Sequence, residues 1–76
     1  MTEDIIHIGE NIKRIRKQKG LSQEALAIRA GLPRPRISDL ERRQSVTTNT
    51  LAKIARGLGV NAFELLIPQE EQISNL

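Results

Sequence analysis

Residues 34–43 hold four arginines, a serine and an aspartate within ten positions: Arg34, Arg36, Ser38, Asp39, Arg42 and Arg43. A guanidinium presents its donors as a rigid fork, which matches either the oxygens of a phosphate or the O6 and N7 acceptors of a guanine. The chemistry on offer is therefore binding rather than bond-making. Nothing else in the chain proposes a reaction. There is no Cys, and His7, the one histidine, has no second ligand or carboxylate cluster near it in sequence, so it reads as a bystander. A P-loop, a glycine-rich dinucleotide motif and a His pair are also missing. No enzyme, metal or cofactor is expected.

The charge balance points the same way. Net charge is +3, but Arg29, Arg34, Arg36, Arg42, Arg43, Lys53 and Arg56 face only Asp39 and Glu41 within the same stretch. A locally basic segment favours nucleic acid, the alternative being an ordinary solvated helix face. Phe63 is the one aromatic residue, whereas proteins that stack single-stranded bases need several, so duplex DNA is the better fit. The first residues, Met1-Thr2-Glu3-Asp4, are acidic where a secretion signal is basic, and apolar runs such as Leu65-Leu66-Ile67 are short. A cytoplasmic protein with no membrane partner is expected. A chain of 76 residues holds one small domain, here residues 1–68 with a short polar tail, 69–76, and gains stability by pairing with another chain.

These groups must be held by helices. Ile5, Ile8, Ile12 and Ile15 lie on one helical stripe, giving a first helix over about Ile5 to Lys19 that Gly20 ends. Ser22 caps a second helix running to Ala30, and Gly31 supplies the turn into a third, Pro33 to Arg42, with Ile37 and Leu40 facing inward. After a polar loop, Thr47 caps a fourth helix marked by Leu51, Ile54, Ala55 and Leu58. Gly59 ends it. Asn61 and Glu64 then form a capping pair for a short fifth helix through about Ile67, which Pro68 stops. No strand pattern appears, so the fold class is all-α, a five-helix bundle.

Two helices joined by a tight glycine turn have helix-turn-helix proportions, and the residues narrow this further. The run Leu21-Ser22-Gln23-Glu24-Ala25-Leu26-Ala27, then Ala30-Gly31-Leu32 and Ile37-Ser38-Asp39-Leu40-Glu41, resembles the phage repressor and Cro family of regulators. The resemblance continues through Thr50-Leu51, Lys53-Ile54-Ala55, Leu58-Gly59-Val60 and Phe63-Glu64-Leu65-Leu66, and covers about Ile8 to Leu66. Within the family the chain looks most like the small controller proteins of restriction–modification systems. The resemblance implies a lambda-repressor-like DNA-binding fold and a homodimeric transcriptional regulator on a palindromic operator in double-stranded DNA, with no small-molecule ligand. Two other readings are an antitoxin of a toxin–antitoxin pair and a protein-interaction module on the same fold.

It also implies roles for residues. The third helix becomes the recognition helix, whose first turn meets base edges in the major groove. Arg34 is placed to read guanine, Pro35 to pack at most on a thymine methyl, and Arg36 to reach a base or a phosphate. Ser38 and Asp39 follow one turn later. Asp39 either accepts from a cytosine amino group or orients an arginine such as Arg36 or Arg42. Ser22 and the amide of Gln23 grip a phosphate at the start of the second helix, or Gln23 is simply solvated. Thr47 is a further phosphate ligand and Arg16 and Glu41 a core ion pair; from the residues themselves, Arg42, Arg43 and Gln44 are read as phosphate contacts, and Phe63, Leu66 and Ile67, on more than one side of a short terminal helix, as a dimer surface. Pro33 stands where Ser, Thr, Asp or Asn is the usual cap, which leaves the start of the third helix open, and Arg43-Gln44 stands where glycine is common.

Overall fold

Local side-chain chemistry sets most of the helix boundaries. The Ser22 hydroxyl accepts from the Ala25 amide at 3.0 Å, and the Thr47 hydroxyl from the Thr50 amide at 3.3 Å. Each satisfies a first-turn donor that has no partner within its own helix. The computed structural model describes residues 8–43 and 45–67. It contains helices α1 (Ile8–Gln18), α2 (Gln23–Ala30), α3 (Arg34–Leu40) and α4 (Thr48–Leu58), followed by a 3₁₀ turn, Ala62–Leu66. The readings made for Ile5, His7, Gln44, Pro68 and the tail 69–76 lie outside the described residues.

Between α2 and α3 the chain reverses in three residues, Gly31-Leu32-Pro33. Gly31 sits at φ 73 and ψ 34, a left-handed conformation in which a Cβ is strained, and the Leu32 amide reaches back to the Ala27 carbonyl at 2.9 Å. Ile12, Leu26, Ile37, Leu40, Ile54, Leu58 and Leu65 are fully buried and form one core shared by all five elements. A second glycine serves packing. The Gly9 amide donates to the Arg43 carbonyl at 2.8 Å, and a Cβ at Gly9 would lie 2.5 Å from that oxygen and 2.6 Å from the Leu40 carbonyl oxygen. The first turn of α1 thus lies directly against the end of α3.

Two expectations are corrected. The third helix does not run to Arg42: its helical residues end at Leu40, and the chain tightens through bonds from Arg42 to Asp39 and from Arg43 to Leu40, both 3.1 Å. That turn presents the Arg43 carbonyl to Gly9. The fifth element is a 3₁₀ turn rather than an α-helix, so the described bundle has four α-helices. Asn61 and Glu64 do form a capping box, but Leu65 is the one buried residue of the element and gives it little to pack with. Ile67 then turns extended, at φ −82 and ψ 124, as a residue preceding proline does. No described helix is long and apolar enough to cross a membrane.

Candidate nucleic-acid interface

Pro33 occupies the N-cap of α3 at φ −70 and ψ 149 with no side-chain cap bond, so α3 begins at Arg34. Pro35 falls in the first turn, where its missing N–H removes no helical bond. Arg34, Pro35 and Arg36 are all exposed, Ser38 and Asp39 are half-buried, and Ile37 and Leu40 pack into the core. The buried pair clamps one side of a two-turn helix, and the first turn carries the arginines outward.

A chain of polar contacts, buried at one end and exposed at the other, runs beneath that turn. Arg16 Nε donates to Glu41 Oε2 at 2.6 Å and Nη2 to Oε1 at 3.3 Å, with 9% and 3% of the two side chains exposed. The remaining guanidinium nitrogen, Nη1, donates to the Leu21 carbonyl at 2.7 Å. Glu41 Oε1 also accepts from Gln23 Nε2 at 3.1 Å, and Gln23 Oε1 accepts from Arg34 Nη1 at 3.2 Å. Three helical segments and the exposed tip of α3 are therefore joined through one carboxylate. Both ends of the Gln23 amide are engaged, leaving its second amide hydrogen for an outside acceptor.

Asp39 also holds an arginine, but neither Arg36 nor Arg42. Its Oδ2 accepts from Arg43 Nε at 2.8 Å, and Arg43 Nη2 lies at the same distance. Arg43 further lines an open concavity of about 330 Å³ with Arg36, Ser45, Thr47, Leu40 and Val46. Two arginines and Ser45 line one space beside the start of α4, groups suited to an anion, while the Thr47 hydroxyl gives its hydrogen to Thr50 Oγ1 at 3.0 Å. Ser22 is exposed and occupied as a cap, and Arg42 is exposed. Of the residues assigned to a dimer surface, Phe63 is 66% exposed, and Leu66 and Ile67 are half-buried.

One residue escaped the sequence reading. Asn11 is 2% exposed; its Nδ2 donates to the Leu65 carbonyl at 2.8 Å and the Ile67 carbonyl at 3.0 Å, and its Oδ1 accepts from Arg14 at 3.1 Å. It fastens the end of the 3₁₀ turn to α1. A signal was present: Asn11 lies on the stripe of Ile8, Ile12 and Ile15, and a polar residue on a buried stripe implies a bonded partner.

Three comparisons bear on this geometry. A sequence profile described as helix-turn-helix matches residues 12–65. The chain is 42% identical over 65 residues, 84% of either chain, to an uncharacterised helix-turn-helix-type transcriptional regulator of Sinorhizobium fredii. It is 37% identical over 70 residues to the immunity repressor of Bacillus phage phi105, of whose length it spans 49%. Among solved structures, a hypothetical transcription factor from Neisseria superposes with a TM-score of 0.83 at 35% identity, covering 96% of this chain and 86% of that one. A restriction–modification controller protein from Aeromonas hydrophila superposes with a TM-score of 0.74 at 36% identity, covering 82% and 96%.

Proposed function

The chain belongs to the helix-turn-helix family of DNA-binding transcriptional regulators, and on that premise we propose that it binds a specific double-stranded site as a homodimer, with α3 in the major groove. The observation that carries this reading is the first turn of α3: Arg34 and Arg36 stand exposed on a helix whose opposite side is clamped by Ile37 and Leu40, with Arg34 braced by Gln23. An arginine held before it meets its target loses less side-chain freedom on binding. Arg34 reads a guanine; Pro35 touches a neighbouring thymine methyl; Arg36, Ser38 and Asp39 extend the contact along the groove. Phosphate contacts come from Ser22, Gln23, Arg42, Gln44 and Thr47, and from the concavity that Arg36 and Arg43 line.

The dimer forms through Phe63, Leu66 and Ile67. Phe63 is 66% exposed among the described residues, and a twofold copy buries it economically. Two copies of α3 then lie about 34 Å apart, so the operator is an imperfect palindrome with half-sites roughly one helical turn apart. Occupancy follows the protein's own concentration through the dimerisation step. The likeness to restriction–modification controllers supports a role of that kind, which predicts endonuclease and methyltransferase genes beside its own.

Selection of bound fragments from a random duplex library tests the reading, with affinity then measured across salt concentrations. A palindromic consensus is expected, with a steep negative slope of log affinity against log salt. No enrichment together with a flat slope would leave a protein-interaction module instead. Sedimentation should give a dimer at micromolar concentration that Leu66→Asp converts to a folded monomer, and a monomeric unmodified protein would remove the palindrome argument.

A further inference from the structure

Asp39 is the one acid on α3, and it sits on the surface proposed to meet a polyanion. It lies four residues beyond Pro35 and hence on the same stripe of α3 as the exposed tip. Its partner Arg43 also lines the concavity with Arg36, Ser45 and Thr47. One guanidinium thus has two possible employers. The edge it gives to Asp39, Nε and Nη2 on one carboxylate oxygen, cannot at the same time grip a phosphate. With 54% and 40% of the two side chains exposed, the pair opens at little cost, because solvated ion pairs contribute little to stability.

We propose, resting on the DNA-binding reading above, that Asp39 and Arg43 form an exchangeable pair that makes recognition of a cytosine the condition for full phosphate contact. On a half-site that presents a cytosine N4 amino group to α3, the Asp39 carboxylate rotates to that donor, which carries Oδ2, the oxygen that holds Arg43, out of reach and lets Arg43 turn to the phosphate over the concavity. Guanine O6 and thymine O4 are acceptors and repel the carboxylate; adenine sets its N7 acceptor beside its amino group. Against those bases Asp39 keeps Arg43 as its counterion, and each subunit forgoes the two-pronged phosphate contact of that edge. Asp39 thereby acts as a specificity residue twice, once at the base and once by rationing a cation.

The test compares the full-length protein with Asp39→Asn, Arg43→Ala and the double variant. Each is measured on the selected operator, on that operator with the cytosine of each half-site changed to thymine, and on random duplex, over a range of salt. Asp39→Asn should bind random duplex several-fold more tightly, with a salt slope steeper by about one unit per subunit. It should also lose the preference for cytosine, which in the unmodified protein should be roughly five- to a hundred-fold per half-site. In the Arg43→Ala background Asp39→Asn should leave the slope unchanged. An equal steepening with and without Arg43 would reduce Asp39 to long-range repulsion and overturn the exchange, as would an Asp39→Asn protein that keeps the cytosine preference. Failure of the underlying reading looks different: the unmodified protein then enriches no sequence at all. Unchanged helicity and melting temperature in each variant separate these outcomes from misfolding.

Discussion

Two arginine–carboxylate pairs of nearly equal length lie at opposite ends of the burial scale. Arg16 and Glu41 meet at 2.6 Å with 9% and 3% of their side chains exposed; Arg43 and Asp39 meet at 2.8 Å with 54% and 40% exposed. The difference lies in what else each charge can find. Glu41 has traded water for two donors, Arg16 and Gln23, and Arg16 has Glu41 and the Leu21 carbonyl, so removing either charged partner strands the other charge in the core. Asp39 and Arg43 keep access to water and can part. One pair builds the base on which Arg34 stands, and the other can part at the surface.

The largest effect should come from breaking the buried pair. Glu41→Ala is expected to cost about 3–5 kcal/mol of stability, because Arg16 is then buried and uncompensated, and thermal or urea unfolding would show it as a marked drop in midpoint. A midpoint near that of the unmodified protein would mean that the core pair is no more structural than the surface pair.

Next in size is Arg34→Ala. It should cost roughly 1–3 kcal/mol per half-site on the selected operator while barely affecting random duplex and leaving unfolding unchanged. Equal losses on both DNAs would make Arg34 a phosphate ligand and move base reading to Arg36, Ser38 or Asp39.

Gln23→Ala acts on both Glu41 and Arg34 and should have a smaller effect than losing either. It removes one hydrogen bond from Glu41 and the brace from Arg34, so about 1 kcal/mol of stability should be lost, together with several-fold operator affinity. Loss of stability without loss of affinity would show that Arg34 needs no brace. The smallest effect is expected from Asp39→Ala on folding, at most a few tenths of a kcal/mol for an exposed i,i+4 pair. A drop approaching that of Glu41→Ala would end the contrast between the two pairs.

The sequence determined what is decided within a turn of chain. Ser22, Thr47 and Asn61 start their elements, and Gly31 turns α2 into α3, because a cap or a left-handed residue acts on amides and carbonyls two to four positions away. The inward positions of Ile12, Ile37, Leu40 and Ile54 follow from helical periodicity, again a local property. The roles of Arg34, Gln23 and Glu41 came from a resemblance and not from spacing. Arg43, and not Arg36 or Arg42, meets Asp39 as an i,i+4 pair, a spacing local enough to be legible in the sequence. Tertiary structure decided the rest. The stop of α3 at Leu40 beneath Gly9 is what needed the fold, through a contact between residues 34 positions apart. Asn11 holds the Leu65 carbonyl across 54 positions. The fifth element stays a 3₁₀ turn because one buried leucine anchors it and the residue before Pro68 goes extended. Which partner a polar side chain finds depends on where distant backbone ends, and only the packed core fixes that distance.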